Sequence, residues 1–220
     1  MRPWFIVALL YAVLGTACTT LSAEPARVDP PRSDPLQVVL SNTYYNGNVR
    51  VIENVWLERY TVSAEGGLPA IRKRLDAAGP MSDVYGRRFD GLTTWGLRWG
   101  FGYDQTSSSC RVRDATIELE AVITLPALED ESVLPESQLV QWQAYVEKLR
   151  QHEDGHVNIY RAGAQELSNE VLALGEMPDC GQLGSALSAL KEAKLSRVAQ
   201  ADRNYDLETG HGAVFPTTKE

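Results

Sequence analysis

Residues 114–126 read Asp-Ala-Thr-Ile-Glu-Leu-Glu-Ala-Val-Ile-Thr-Leu-Pro, and from Ala115 to Leu125 the odd-numbered positions are all apolar. A period of two is that of a β-strand with one buried face, and Pro126, which has no amide hydrogen to donate, suits its end. The preceding stretch alternates in the same way, with Trp95, Leu97, Trp99, Phe101 and Tyr103 on one face. That face is read as core, with an aromatic-lined substrate groove as the other reading. Further upstream, Val38 to Tyr45 is β-branched and aromatic, Asn46-Gly47 is a hairpin signal, and Val49 to Val62 resumes the strand pattern. Together these stretches predict an antiparallel sheet with one wet face. Between them, Leu68, Ile71 and Leu75 recur at helical spacing and predict a short helix that stops at Gly79-Pro80.

Downstream of Pro135 the period changes to that of a helix. Leu139, Trp142, Val146 and Leu149 form a stripe that continues through His156 to Tyr160. After Met177-Pro178-Asp179 a second helix is expected from Leu183 to about Ala201, followed by polar coil containing Gly and Pro. Strands first and helices after define an α+β domain, placed at 36–213 with a tail at 214–220. No internal repeat is visible.

The chain of 220 residues, 44% hydrophobic and 23% charged, has the composition of an ordinary globular protein. Its first residues look like an export signal: Met1-Arg2 leads an apolar run from Trp4 to Gly15, short for a membrane span but suited to a signal-peptide core. Residues 1–23 are therefore expected to direct the chain to the periplasm or cell envelope. Two outcomes fit: cleavage after Ala17 or Ala23, or lipid attachment at Cys18, which follows Gly15-Thr16-Ala17. Lipid at Cys18 would attach the protein to a membrane. Residues 24–35, rich in Pro, Arg and Asp, then form a linker. Loss of the leader removes Arg2 alone among charged residues and takes the net charge from −8 to about −9, which disfavours nucleic acid as a partner. Cys110 and Cys180 remain as a pair in an oxidising compartment, and a disulfide between them is expected.

Chemistry concentrates at 152–156, His-Glu-Asp-Gly-His. Four residues apart on a helix, the two imidazoles stand on one face one turn above the other and can reach a single zinc ion at about 2.0–2.1 Å. Glu153 points about a quarter-turn away, which suits a general base for a zinc-activated water better than a ligand. Gly155 costs about 1 kcal/mol relative to Ala inside a helix and indicates that another segment or a substrate lies close. A catalytic zinc needs a third protein ligand. His211, the one remaining histidine, is chosen; Gly210 and Gly212 beside it let the backbone approach and turn the imidazole inward. Asp206, as ligand or as acceptor for an imidazole N–H, is the next candidate, and Glu192 on the second helix is the third.

Glu58-Arg-Tyr-Thr-Val62, the helix end at Gly79-Pro80, Gly91-Leu-Thr-Thr-Trp95, Thr124-Leu-Pro126, His152-Glu-Asp-Gly-His156 and Tyr205-Asp-Leu-Glu-Thr-Gly-His-Gly212 carry a further signal. Over roughly residues 40–213 the chain resembles the predicted secreted zinc-dependent proteases, a bacterial family. The resemblance implies a zincin-like sheet and active-site helix and supplies no substrate. The expected function is that of an exported zinc metalloprotease that hydrolyses protein or peptide substrates, with Glu153 as base. Two other readings use the same residues: a non-catalytic zinc-binding envelope protein, and a structural or interaction lipoprotein. No feature of the sequence sets an oligomeric state.

Overall fold

The computed structural model describes residues 37–212 and 214–216. The expected signal peptide, Cys18 and the linker lie outside the described residues. Among those described, β1 (Gln37–Asn46), β2 (Val49–Val62), β5 (Leu92–Gln105) and β6 (Cys110–Leu128) form one sheet in the order β1-β2-β6-β5. Helix α1 (Gly67–Ala78) and a small hairpin of β3 (Met81–Ser82) and β4 (Arg87–Arg88) stand between β2 and β5. Two long helices, α2 (Glu136–Ala173) and α3 (Cys180–Thr209), complete the α+β domain. None of these helices is long and apolar enough to cross a membrane.

The hairpin at Asn46-Gly47 forms as the sequence predicts, with Asn46 opposite Val49 and Gly47 at φ 59°. The wholly antiparallel sheet does not: β6 runs parallel to β2, from Val49 beside Ala115 to Val62 beside Leu128. The reason lies in the connections. The chain leaves the end of β2, passes through α1 and the small hairpin, and re-enters the sheet at Leu92, opposite Thr124 and near the edge that Val62 left. This places β5 antiparallel to β2 with a gap one strand wide, and β6 folds back from β5 into that gap. Alternation fixes which face each residue occupies but says nothing of strand order.

The faces do follow the alternation. Ala115, Ile117, Leu119, Ala121, Ile123 and Leu125 are buried, with Val49, Val51, Val55 and Leu57 of β2 beside them. Leu97 is buried on β5, and its aromatic neighbours Trp95, Trp99, Phe101 and Tyr103 are half-buried against the same core. On the wet face Arg98 pairs with Glu118 and Glu120 across the strands. Leu68, Ile71 and Leu75 of α1 are buried as expected.

Helix α2 lays Trp142, Tyr145, Leu149, Val157, Tyr160, Leu167 and Val171 against the core, and Arg161 on it reaches the buried Glu53 of β2 at 3.2 Å. Helix α3 packs antiparallel to α2. It begins where Asp179 caps the Gln182 amide, and Cys180 is joined by a disulfide to Cys110 at the start of β6. It ends at Thr209 rather than near Ala201, so Tyr205 and Asp206 are helical and not part of a coil tail. Asp and Asn are poor helix formers, which makes 202–206 read as an end; tertiary contacts of their side chains override that preference. Phe215 packs back onto the body, its ring 4.9 Å from that of Tyr145 and under the Arg72 guanidinium.

Candidate metal centre

Helix α3 can lie close to α2 because α2 has glycine at the two crossing points. A Cβ at Gly155 would strike the Tyr205 hydroxyl, and one at Gly163 would strike Val198. The misfit glycine of the His-Glu-Asp-Gly-His stretch therefore makes room for another segment, namely α3. With the helices this close and antiparallel, His152 faces Asp206 and His156 faces Asp202.

Three donor atoms converge. Nε2 of His152 and Nε2 of His156 are 3.2 Å apart, and Oδ1 of Asp206 lies 3.3 Å from the first and 3.1 Å from the second. Four donors held tetrahedrally at about 2.0–2.1 Å from one ion would stand about 3.3–3.4 Å from each other, so the triangle is close to one face of a zinc-sized tetrahedron.

The hydrogen bonds at the outer ring nitrogens set the tautomers. Nδ1 of His156 is 2.6 Å from Oδ1 of Asp202, a carboxylate that can only accept. The Tyr160 hydroxyl donates to the same oxygen at 2.5 Å. Nδ1 of His152 is 3.2 Å from the Thr209 hydroxyl; that hydroxyl donates to the Tyr205 carbonyl at 2.6 Å, so towards His152 it accepts. In their neutral forms both imidazoles thus keep their hydrogen on Nδ1 and turn an Nε2 lone pair inward. Two inward lone pairs at this separation repel unless a cation or a proton stands between them. Tyr85, on the turn between β3 and β4, donates to Oδ2 of Asp206 at 3.0 Å and leaves Oδ1 for the cluster. The Tyr205 ring stacks on that of His152, 5.0 Å away.

Glu153 projects beside the cluster. Its Oε2 accepts from the Thr93 hydroxyl at 2.8 Å, and a Cβ at Gly91 would come within 2.8 Å of Oε1, so glycine there lets the start of β5 pass close to the carboxylate. His152, Glu153, His156 and Asp206 are only 7%, 3%, 6% and 7% exposed.

These groups perturb one another strongly. Burial pushes the Glu153 carboxyl up, against the opposing pull of Thr93 and the two histidines. Burial also disfavours charge on His156 and Asp206, but the contacts between them outweigh it. His156 is raised to about 10 by Asp202 and Asp206, and Asp206 is held well below the usual carboxylate range by His152, His156 and Tyr85.

Of the residues singled out from sequence, His152, His156 and Asp206 form the cluster and Glu153 flanks it. His211 stands just outside, its Nδ1 3.4 Å from Oδ1 of Asp206. Glu192 is exposed on α3, 14 residues before Asp206 and so about 21 Å away along the axis. Asp202, Tyr160, Thr93 and Tyr85 were not anticipated. Thr93 falls within the Gly91-Leu-Thr-Thr-Trp95 stretch of the resemblance, and Asp202 precedes Asp206 by four, the spacing of His152 and His156, which matters only if the helix runs through both.

Fold and cluster define an α+β domain with a two-histidine, one-carboxylate cluster between two antiparallel helices. Residues 57–212 match the model of a bacterial protein family of unknown function, DUF922, and the chain belongs to that family. No curated protein and no solved structure matches the chain.

Proposed function

We propose that this chain is an exported zinc-dependent peptidase, with the metal held by His152, His156 and Asp206 and with Glu153 as the general base. The observation that carries the reading is the triangle of donor atoms, in which two inward Nε2 atoms and one carboxylate oxygen stand close to the spacing of a tetrahedral zinc site. When bound there, zinc supplies Lewis acidity and brings the pKa of a coordinated water down towards about 7. Glu153 takes the proton from the attacking water and passes it to the leaving amine. Thr93 keeps the carboxylate oriented through that exchange, and Asp202 and Thr209 keep both imidazoles in the ligating tautomer.

A two-histidine, one-carboxylate set also suits iron(II). The buried carboxylate of Glu153 beside the cluster favours hydrolysis, because it provides a proton acceptor where a water would be activated. Export is supported by the apolar run from Trp4 to Gly15 and by the Cys110–Cys180 bridge, which belongs to an oxidising compartment. Labelling with a radioactive fatty acid separates lipid attachment at Cys18 from cleavage after Ala17 or Ala23.

The deciding experiment measures metal content and peptide-library hydrolysis for wild type and Glu153→Gln. Equal zinc with hydrolysis lost in the variant is the expected result. Equal hydrolysis in both would remove Glu153 from the mechanism, and zinc-loaded protein inert towards every peptide would favour the non-catalytic zinc-binding reading.

A further inference from the structure

The cluster is closed on its outer side by the chain's own C-terminal segment. Helix α3 stops at Gly210, and three consecutive residues then adopt left-handed backbone: Gly210 at φ 63°, His211 at φ 59° and Gly212 at φ 92°. Among the described residues His211 is the one non-glycine with positive φ, a conformation that L side chains rarely adopt and that concentrates at functional sites. The turn lays Gly212 on the face of His152, where a Cβ would come within 3.0 Å of the ring. It also sets the His211 ring beside Tyr85 and Phe89, each 5.3 Å away between centroids. Nδ1 of His211 is buried and has no hydrogen-bond partner among the described residues, yet it stands 3.4 Å from the same Asp206 oxygen that serves the cluster. Further on, Phe215 is buried against Tyr145 and Arg72 and pins the chain beyond the turn.

A buried imidazole nitrogen without a hydrogen-bond partner is costly, and here it stands beside Oδ1 of Asp206, one corner of the donor triangle. We infer that His211 is a displaceable fourth ligand: with Phe215 seated, its imidazole closes on the metal and occupies the position a water needs, and release of the segment opens that position. The inference rests on the metal site proposed above and adds a latch to it. Glycine on both sides of His211 provides the backbone freedom for the imidazole to close on the ion and to withdraw.

Cobalt(II), which reports its coordination by visible absorption, is the probe, and azide tests for an open position. The full exported chain is compared as wild type, His211→Ala, Phe215→Ala and His152→Ala, with circular dichroism confirming that each is folded. His211→Ala and Phe215→Ala are expected to keep cobalt, with affinity within about a hundredfold of wild type, and to bind azide at least tenfold more tightly than wild type. His152→Ala is expected to lose cobalt. Equal azide affinity in wild type and both variants would overturn the latch while leaving the metal site standing. Loss of cobalt in His211→Ala equal to that in His152→Ala would make His211 an obligatory ligand and overturn it too. Absence of cobalt binding in wild type would overturn the latch and the zinc reading together.

Discussion

Replacing Gly155 by alanine sets two physical effects against each other and reports on the geometry that builds the site. In an open helix the change stabilises by about 0.8–1.0 kcal/mol, because glycine carries more backbone entropy into the unfolded state. Gly184 provides that reference: it lies within α3, and a Cβ there meets nothing within 4 Å. At Gly155 the Cβ instead meets the Tyr205 hydroxyl and ring, which are themselves stacked on His152. Such overpacking costs about 1–3 kcal/mol, so the net effect runs from near zero to a loss of about 2 kcal/mol. For a domain of this size about 1 kcal/mol moves the Tm by about 2–4 °C. Thermal unfolding of the metal-free protein should therefore show Gly184→Ala raised by that amount and Gly155→Ala unchanged or lowered by up to about 8 °C. Adding Tyr205→Ala to Gly155→Ala should cost less than the two single changes combined, by about 0.5–3 kcal/mol, because the clash disappears with the ring. A stabilisation of Gly155→Ala equal to that of Gly184→Ala would refute the close approach of α3, and with it the route by which Asp206 reaches the histidines.

Two further outcomes follow from the same contacts. Opening the Cys110–Cys180 bridge, by Cys180→Ala or by reduction, releases a loop of 70 residues and should cost about 4 kcal/mol in the chain-entropy model; chemical denaturation measures it, and an unchanged midpoint would mean that the unfolded chain is not constrained by the bridge. Asp202→Asn should lower zinc affinity by about 10–100-fold while leaving the fold intact, because an amide holds the His156 N–H less strongly than a carboxylate does; competition against a chelator reads this, and an unaltered affinity would deny Asp202 its positioning role.

What could be read in the sequence was whatever depends on local period. The one-sided strands, the hairpin at Asn46-Gly47, the short helix before Gly79-Pro80 and the shared face of His152 and His156 are all consequences of spacing within one element. The parallel pairing of β2 with β6 was not legible, since it depends on where α1 and the β3–β4 hairpin return the chain. The extent of α3 is hidden for a related reason: Asp202, Asn204 and Asp206 lower helix propensity, and only the imidazoles across the gap reveal why carboxylates belong there. Thr93 and Tyr85 reach the site from strand and turn positions far away in sequence; Thr93 lies in the Gly91-Leu-Thr-Thr-Trp95 stretch of the resemblance, but no periodicity gives either residue a role at the site.

The site depends on two registers that must agree. Along α2 the histidines are separated by one turn, and along α3 the aspartates are separated by one turn, so the antiparallel helices meet as two rungs, His152 with Asp206 and His156 with Asp202. Gly155 and Gly163 fix the distance between the helices. Their relative slide is fixed by contacts along the pair: buried Lys194 of α3 meets Glu166 and Glu170 of α2, and the bridge to Cys110 fastens the first residue of α3 to the sheet. A slip of one residue would move each carboxylate about 1.5 Å along the axis and turn it about 100° away from its imidazole. The slide that closes both rungs is thus set along the whole helix pair as well as at the cluster. This explains how residues as weakly helical as Asp202 and Asp206 can be held in helical positions where both rungs close.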